Sequence, residues 1–321
     1  MSEFRWGLIG PGRIAHRFAQ ALSADFVGKL QAVASRNEAR ARQFASQYNC
    51  STIYTQYENL YEAKDIDAIY IATPHNFHYE QIKAGLRAGK SVLCEKPLTV
   101  TSAQASELFT LAKKQGVFLM EAMWSLYLPA YQQVNEWIGQ GQIGELKLVR
   151  STFGYNTPKD PTDRLLNPEL AGGVLLDMGV YCVATAQWLM QEQAQTISAI
   201  GQIGETGVDE LTMANLGYSG QRFAQFTSNF HCQTENTLDI YGSEGRIHLP
   251  NMFWQPQQVT LIKQNSELTV RKPFAVNGFE YEIAEAEKCI TQGMLESSVV
   301  THQFTHNCLQ TMESILQQVK E

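Results

Sequence analysis

A glycine-rich turn near the N-terminus constrains the fold of this chain more than any other feature. The turn, Gly10-Pro11-Gly12-Arg13-Ile14-Ala15, follows an apolar run at residues 5–9 and opens a helical pattern at 14–23. In G-x-G-x-x-G/A the first glycine permits a tight turn, the second lets the backbone approach a pyrophosphate, and the small third residue lets helix and strand pack closely. An ordinary glycine-rich turn is the alternative, but the strand-helix context favours a dinucleotide site whose phosphates face the helix N-terminus.

Residues 1–122 alternate short apolar runs with helical periods, which predicts an α/β Rossmann domain with a parallel, doubly wound sheet. The predicted strands are residues 5–9, 30–35, 53–54, 68–72, 91–94 and 118–120, and the predicted helices are 14–23, 37–47, 79–88 and 102–115. The run at 68–72 is continuously apolar, as in a strand that helices cover on both faces.

Residues 123–321 have a different pattern, which predicts an α+β domain with a large, mostly antiparallel open sheet. Period-two alternation gives strands at 146–155, 197–204, 212–218, 222–230, 237–241 and 259–262, and helical periods occur at 129–138, 178–190, 281–292 and 303–319. An open sheet needs its second face covered, and this domain has few helices for so long a sheet. We therefore expect a homodimer that packs through this sheet.

Composition narrows the class of protein further. The 321 residues suit two domains, and a net charge of −7 lacks the basic footprint of a nucleic-acid or anionic-lipid binder. The apolar segment 178–191 contains Gln187 and is too short to span a bilayer, and the first ten residues show no secretory signal. The cysteines form no Cys-x-x-Cys pair and are expected to be reduced, buried thiols in a cytoplasmic protein; they are Cys50, Cys94, Cys182, Cys232, Cys289 and Cys308.

The residues at the end of the second predicted strand indicate whether the dinucleotide is NAD or NADP. An NAD site usually has an acidic residue there, roughly 20 residues after the glycines, to bind the ribose hydroxyl. Here the chain has Ser35-Arg36-Asn37, with Arg40 one helical turn beyond Arg36. Guanidinium groups bind a 2′-phosphate that a carboxylate would repel, so the sequence favours NADP, with NAD still possible. The alternative is that both arginines lie on a solvated helix face.

Two further segments lie at the ends of predicted strands, the edge at which doubly wound sheets bind ligands. They are Thr73-Pro74-His75-Asn76-Phe77-His78 and Cys94-Glu95-Lys96-Pro97. The two histidines lack the companion ligands of a metal site, so we predict no metal and a loop that contacts the cofactor. The predicted cofactor contacts are Gly10, Gly12, Arg13, Ile14, Ser35, Arg36, Arg40, Thr73, Pro74, His75, Asn76, His78, Glu95 and Lys96.

These segments, together with the run from Gly172 to Tyr181, resemble the motifs of the glucose–fructose oxidoreductase / inositol dehydrogenase (Gfo/Idh/MocA) family. Within it, residues 118–124 and 177–182 resemble the dimeric dihydrodiol dehydrogenases and the NADP-linked xylose dehydrogenases. The resemblance implies that Lys96 is an active-site lysine, often followed by a cis peptide to Pro97. It also implies that Asp177 and Tyr181 line the same cleft from the second domain.

The resemblance makes Tyr181 the acid/base, at a position where many family members have histidine. It also implies an active-site arginine early in the first strand of domain two, where this chain has Lys147, which keeps a cation but loses the bidentate fork. A free tyrosine is a poor base at neutral pH, and a nearby ammonium such as that of Lys96 lowers the pKa of a phenol. Asp177 is four residues before Tyr181, so a regular helix would place both on one face. The alternative for each residue is ordinary packing, a surface cation or a helix cap.

Four aromatic residues fall where the dihydrodiol branch has pocket aromatics: Trp124, Phe153, Trp254 and Phe279. Sugars and aromatic diols stack on such rings, although core or interface packing explains each one singly. The sequence thus favours an NADP-dependent oxidoreductase that acts on a cyclic secondary alcohol or its ketone, a sugar such as an aldose or a trans-dihydrodiol. Two alternatives stay open: an NADP-binding metabolite sensor without turnover, and NAD-assisted cleavage of a glycoside.

Overall fold

The computed structural model describes residues 4–157 and 160–321, and the chain forms two compact units. The N-terminal unit contains the described residues up to Trp124 together with Ala275–Thr305, and the C-terminal unit contains the described residues of Ser125–Phe274 together with His306–Glu321. A domain boundary at residue 122 stays a prediction. The division into units has one feature that the sequence did not suggest. A segment late in the chain, Ala275–Thr305, belongs to the N-terminal unit.

The N-terminal unit contains a six-stranded parallel sheet with the order β3-β2-β1-β4-β5-β6, which is the Rossmann order and confirms the predicted fold class. Its strands are β1 (Arg5–Ile9), β2 (Lys29–Ala34), β3 (Thr52–Tyr54), β4 (Ala68–Ile71), β5 (Ser91–Glu95) and β6 (Leu119–Ala122). The helices that follow them are α1 (Arg13–Ala21), α2 (Glu38–Gln47), α3 (Tyr57–Glu62), α4 (His75–Arg87) and α5 (Ser102–Gln115). Every residue of β4 and β5 is buried, as the continuously apolar run of β4 predicts for that strand.

Local chemistry sets the helix ends. The side chain of Asn37 accepts the N–H of Arg40 at the start of α2, and Thr101 caps α5 in the same way. Helix α4 begins at His75, four residues earlier than predicted, because Pro74 precedes it with a backbone angle that suits a helix entry. The short helix α3 was not predicted, since six residues carry too little periodicity.

The C-terminal unit contains an eight-stranded sheet with the order β14-β13-β12-β11-β7-β10-β9-β8, in which β7 and β10 are parallel and the other neighbours are antiparallel. The strands are β7 (Leu146–Gly154), β8 (Thr196–Ile203), β9 (Asp209–Tyr218), β10 (Arg222–Asn229), β11 (Leu238–Gly242), β12 (Arg246–Leu249), β13 (Gln258–Lys263) and β14 (Ser266–Arg271). The remaining helices of the chain are α6 (Pro129–Gly139), α7 (Val180–Met190), α8 (Phe279–Thr291) and α9 (His302–Lys320). This confirms the large, mostly antiparallel sheet; β12 and the exposed edge strand β14 were not predicted.

The two faces of the large sheet differ. Helix α7 packs on β7 and β10, over inward residues such as Val149 and Phe226. The opposite face exposes the large apolar side chains of Ile200, Met213 and Phe223, which alternate with the inward residues. This face is open within the C-terminal unit.

The region around α7 is more apolar than the sequence argument allowed. Pro168–Met190 is long and apolar enough to cross a membrane by length and composition, whereas the expectation was a segment too short to do so. However, 72% of its most apolar stretch is buried inside the protein, and a core helix passes the same test. All six cysteines are free, but Cys232 is exposed, so the expectation that all six are buried is wrong for that residue.

The returning segment completes the N-terminal unit. Helix α8 packs against α1, and Glu287 on α8 accepts hydrogen bonds from Trp6 Nε1 at 2.7 Å and from the Gly28 N–H at 2.8 Å. The N–H of Leu119 on β6 donates to the Leu295 carbonyl at 3.1 Å. The sheet edge at β6 is therefore covered by a residue that follows Leu119 by 176 positions, a pairing that no local pattern could indicate.

Candidate active site

Gly10 and Gly12 of the N-terminal turn differ in what a side chain would meet at each position. Gly10 has a φ of +85°, and a Cβ there would lie 2.7 Å from Thr73 Cγ2. Gly12 has extended backbone, and a Cβ would meet no atom closer than the Gly10 carbonyl oxygen at 3.9 Å. The fold itself therefore requires Gly10. A side chain at Gly12 would only fill the space before the first turn of α1, where a phosphate would bind.

A groove of about 360 Å³ lies beside this turn. Its walls are Pro11, Gly12, Arg13, His16, Arg40, Gln43 and Phe44. The structure thus brings two predicted contacts, Arg13 and Arg40, to the same groove as the glycine turn. The acidic side chain in the first turn of α2, Glu38, is paired with Arg42. The open cradle at Gly12 and the two guanidinium groups fit a phosphate-bearing dinucleotide.

The other residues near the second strand have partners within the protein. The Arg36 guanidinium lies over the Phe77 ring, 5.4 Å from its centroid. Ser35 is buried, and its Oγ accepts the Asn37 N–H at 3.2 Å. Arg36 is exposed and follows the end of β2 by two residues, a position at which an arginine can accommodate a 2′-phosphate.

The segment from Thr73 to His78 forms the entry of α4. Thr73 Oγ1 donates to Gln81 at 2.7 Å, and the rings of His75 and His78 are 5.8 Å apart. Asn76 Oδ1 is buried and has no hydrogen-bond partner among the described residues. A buried amide oxygen without a partner is costly, so a donor on a bound ligand is the natural partner here.

His78 is completely buried and joins two loops. Its Nε2 lies 2.8 Å from the Thr73 carbonyl oxygen, and its Nδ1 lies 2.9 Å from the Pro97 carbonyl oxygen. Burial holds the pKa of His78 below its usual value, although the two carbonyl acceptors oppose that shift. His78 therefore orders the loops that were predicted to contact the cofactor. No group of three or more metal-ligating side chains occurs within residues 4–157 and 160–321.

Lys96 is half-buried at the end of β5, and its peptide bond to Pro97 is cis, as the family resemblance implied. The preceding side chain, Glu95, accepts a hydrogen bond from the Tyr70 hydroxyl. Glu282 on α8 is completely buried close to Glu95. Burial and the Glu95 charge hold the pKa of Glu282 well above its usual value. No pattern in the sequence indicates a role for Glu282, because this residue belongs to a helix that returns from the far end of the chain.

Two of the predicted pocket aromatics, Trp124 and Phe279, pack together in the N-terminal unit with ring centroids 4.7 Å apart. The Arg17 guanidinium lies 4.7 Å from the Trp124 centroid and 5.0 Å from the Phe279 centroid, and it also donates to the Asn277 carbonyl. Phe279 was predicted within the second domain, but it lies on the segment that returns to the first unit. Arg17 was missed because nothing in α1 distinguishes it from a surface arginine.

In the C-terminal unit, the run of small and apolar residues forms an unusual helix. Leu175–Gly179 is a π-helical turn that leads directly into α7. Asp177 lies within the π-turn, and Tyr181 lies in the first turn of α7. The segment is helical where the sequence predicted a helix, but its first turn is the wider π form, and the shared face of Asp177 and Tyr181 stays a prediction. Such π-turns occur often at functional sites.

An arginine that the sequence did not indicate holds Asp177. Arg164 Nη1 donates to Asp177 Oδ1 at 2.9 Å, and the Asp177 side chain is only 13% exposed. Lys147, the expected cation, instead pairs with Glu145 at 2.7 Å on an exposed part of β7. It lies six residues from Phe153 along the strand, about 20 Å away. The cation beside Asp177 is therefore Arg164.

The other two predicted pocket aromatics lie beside Tyr181. Phe153 and Trp254 stack with ring centroids 3.8 Å apart and an angle of 6° between their planes. The Tyr181 ring is 5.8 Å from Phe153. Both stacked rings are more than 90% buried, so they form a packed aromatic cluster whose exposed edges are small.

Comparison with known proteins identifies the family. Residues 4–123 match the oxidoreductase family with an NAD-binding Rossmann fold, GFO/IDH/MocA, and residues 131–248 match the GFO/IDH/MocA C-terminal domain. The chain is 35% identical over 324 residues to trans-1,2-dihydrobenzene-1,2-diol dehydrogenase of Xenopus laevis, covering 98% of both chains. The Mus musculus enzyme of that name is 36% identical over 305 residues, which are 92% of this chain and 91% of the relative.

Solved structures resemble the chain over 99% of its length, among them the following two. The 3-ketoreductase KijD10 from Actinomadura kijaniata, solved with NADP and TDP-benzene, is 29% identical with a TM-score of 0.88 over 99% of this chain and 98% of that one. The aldose-aldose oxidoreductase from Caulobacter crescentus shares the fold, with 21% identity and a TM-score of 0.90 over 99% and 98%. A nicotinamide dinucleotide is thus confirmed as the cofactor, and the chain belongs to the GFO/IDH/MocA family of oxidoreductases.

Proposed function

We propose that this enzyme transfers a hydride between NADP and a cyclic secondary alcohol or its ketone, either a sugar such as an aldose or a trans-dihydrodiol. The observation that carries the proposal is the π-turn, which holds Asp177 against Arg164 and leads to Tyr181 beside the stacked rings of Phe153 and Trp254. An aromatic wall next to a phenol and a carboxylate suits a ring that carries hydroxyl groups. The names of the relatives, a dihydrodiol dehydrogenase and a 3-ketoreductase, agree with this chemistry.

Each side chain has a proposed role. Gly12, Arg13 and Arg40 would hold the dinucleotide, which would supply the acceptor for the hydride of the alcohol carbon. Tyr181 removes the hydroxyl proton during oxidation and returns it during reduction, and Lys96 is the second proposed catalytic residue, whose ammonium group carries a positive charge. Asp177 accepts a hydrogen bond from a substrate hydroxyl and is itself held in place by Arg164.

The preference for NADP is supported by the groove beside the glycine turn. Arg13 and Arg40 line it, and Arg36 extends from the end of β2 without an acidic residue at that point. Guanidinium groups bind a phosphate in a bidentate manner, so an added 2′-phosphate is favoured over a free hydroxyl.

The test is a turnover assay at the nicotinamide absorbance band with NADP and a panel that includes D-xylose and trans-1,2-dihydrobenzene-1,2-diol. We expect turnover of at least one panel member. In Tyr181→Phe, kcat should fall by about 10² to 10⁴, the usual contribution of general acid–base catalysis, with little change in NADP affinity. Tyr218→Phe is the matched control, because it removes another buried phenol from the same unit.

Other outcomes would favour the alternatives. Tight NADP binding without turnover of any panel member would favour a metabolite sensor, and release of a free aglycone from a glycoside would favour glycoside cleavage. Near wild-type kcat in Tyr181→Phe would show that the phenol only packs, and Lys96 would then become the leading base.

We also propose a homodimer that forms through the open face of the eight-stranded sheet. Ile200 and Met213 pair across β8 and β9 on this face, and Phe223 is 53% exposed on β10. Exposed apolar side chains that cluster on one sheet face are typical of an interface. A location in the cytoplasm, and an absence of nucleic-acid and membrane partners, stay predictions.

A further inference from the structure

A buried carboxylate holds the loop that carries Lys96. Glu121 lies on β6 and is 3% exposed. Its Oε1 accepts the N–H of Leu98 at 2.8 Å, and its Oε2 accepts the hydroxyl of Thr305 at 2.9 Å. Leu98 follows Lys96 by two residues. Glu121 therefore ties the lysine loop both to the edge strand and to the start of α9.

A second buried carboxylate does the same for the π-turn. Asp209, at the start of β9, is also 3% exposed. Its Oδ2 accepts the N–H of Leu175, the first residue of the π-turn, at 2.7 Å, and the Thr212 hydroxyl at 3.2 Å. A Cβ at Gly173 would lie 2.2 Å from Asp209 Oδ1, so the second glycine of the Gly172-Gly173 pair leaves room for this carboxylate.

We propose that Glu121 and Asp209 are positioning residues, each of which fixes, as an ionised carboxylate, the backbone of one catalytic segment: the Lys96 loop for Glu121 and the π-turn of Asp177 and Tyr181 for Asp209. This inference rests on the proposed function of those segments. A charged oxygen holds an N–H more strongly than a neutral one does. A small displacement of a reacting group is costly to the rate, so a firmly held backbone favours turnover.

Both carboxylates can change charge within the range of an ordinary assay. Burial raises the pKa of Glu121 to about 6 and that of Asp209 to about 6. The ionisable groups around Glu121 are Cys94 and Glu95 on β5, Lys96 after it, and His302 on α9. Those around Asp209 are Lys320 and the neighbouring pair of Glu210 and His231. Below about pH 6 the Lys96 loop is therefore held by a protonated, neutral Glu121, and the π-turn is held by a protonated, neutral Asp209.

The test uses neutral isosteres that keep the contacts. In Glu121→Gln the amide oxygen still accepts the Leu98 N–H and the amide nitrogen donates to the Thr305 hydroxyl oxygen. In Asp209→Asn the amide oxygen accepts both the Leu175 N–H and the Thr212 hydroxyl. Each variant imitates the protonated state at every pH. We expect the ratio of wild-type kcat to variant kcat, with NADP and the fastest of D-xylose and trans-1,2-dihydrobenzene-1,2-diol, to be near 1 at pH 5. It should rise through an inflection near pH 6 to about three- to tenfold at pH 7.5.

The ratio cancels the pH dependence that both enzymes share, including any titration of Tyr181. Glu287→Gln is the matched control, because Glu287 is a largely buried carboxylate with a raised pKa that accepts a backbone N–H remote from the catalytic segments. Its ratio should stay near 1 throughout. NADP affinity and the thermal midpoint, measured on the same samples, establish that each variant is folded.

A ratio that is flat with pH for both variants, while Lys96→Met and Tyr181→Phe are inactive, would overturn the positioning role alone. If Lys96→Met and Tyr181→Phe instead keep wild-type kcat, the proposed function fails and the positioning role fails with it. An inflection near pH 6 for Glu121→Gln or Asp209→Asn that is absent in Glu287→Gln supports the positioning role.

Discussion

Arg164 donates from Nη1 to Asp177 Oδ1 at 2.9 Å and so joins an irregular loop to the π-turn that leads into α7. The pair is only partly exposed, so water screens it less than it screens a surface ion pair. The guanidinium fixes the direction of the carboxylate, because its donors lie in one rigid plane. Lys147, where the family resemblance led us to expect a cation in the site, instead pairs with Glu145, whereas Arg164 is a cation that contacts Asp177.

We expect Arg164→Met to lower kcat about tenfold, since Asp177 would lose its directing partner while the Gly10–Ala15 turn would still bind the cofactor phosphates. Arg164→Lys should restore part of the loss, because it keeps the charge without the fork. Steady-state kinetics and NADP titration check this. Arg42→Met removes an exposed arginine of another ion pair and should change neither quantity. A loss of NADP affinity in Arg164→Met that matches the loss in kcat would contradict this reading.

The two glycines of the turn should respond differently to alanine. Gly12→Ala fits the protein, so its thermal midpoint should equal that of the wild type, whereas its Kd for NADP should rise at least tenfold because the methyl group enters the phosphate cradle. Gly10→Ala should lower the free energy of unfolding by about 1–3 kcal/mol, because φ is +85° and the Cβ meets Thr73. Calorimetry with and without NADP separates the two effects. Unchanged NADP affinity in Gly12→Ala would place the phosphates elsewhere.

Cofactor choice should depend on the groove beside the turn. Arg40→Asp is expected to lower kcat/KM for NADP by about 10- to 100-fold and to leave kcat/KM for NAD nearly unchanged, because only NADP carries the 2′-phosphate. The matched control is Arg42→Asp on the same helix, where the arginine pairs with Glu38 and does not line the groove. Equal losses with NAD and NADP would mean that Arg40 does not contact the 2′-phosphate.

The assembly prediction concerns the open face of the eight-stranded sheet. A charge in the middle of an apolar interface is expensive, so Phe223→Glu should convert the homodimer to a monomer in light scattering. Leu268→Glu is the control, because Leu268 is equally exposed on edge strand β14 but pairs with the inward-facing Leu261. A wild-type monomer at working concentration would contradict the dimer.

Local sequence patterns predict most of the fold, but they do not predict most of the residues that surround the candidate site. The glycine turn and the buried runs of β4 and β5 predict the Rossmann sheet, because they depend on neighbours in sequence. Phe279 was expected in the second domain, and Glu282 was not singled out at all. Both lie on Ala275–Thr305, a segment that belongs to the N-terminal unit and has no periodic pattern that would indicate this. Hydropathy does not distinguish a π-turn from an α-helix, so the sequence does not indicate that Asp177 lies in a π-turn. Arg164, Glu121 and Asp209 each hydrogen-bond a segment that lies 13 or more positions away, and sequence spacing does not encode such pairings.

The raised pKa of Glu121 also predicts how the free energy of unfolding depends on pH. Burial raises its pKa to about 6 from an ordinary value of 4.5, so the folded protein binds this proton more tightly than the unfolded chain does. Its contribution to stability is therefore full below about pH 4.5 and is lost as the pH rises through 6. At pH 7.5 the ionised side chain costs roughly 2 kcal/mol of unfolding free energy relative to a neutral one.

We therefore expect Glu121→Gln to be more stable than the wild type at pH 7.5, by up to about 2 kcal/mol, and the difference to shrink toward zero near pH 4.5. Urea unfolding at a series of pH values measures it. Glu80→Gln, which neutralises an exposed carboxylate on α4, should show no such trend. Higher stability together with lower kcat in one variant would mean that the enzyme keeps a buried charge at some cost to its fold because the Lys96 loop needs it. If Glu121→Gln is instead less stable than the wild type at pH 7.5, the charge stabilises the fold, and burial is not the dominant influence on this carboxyl group.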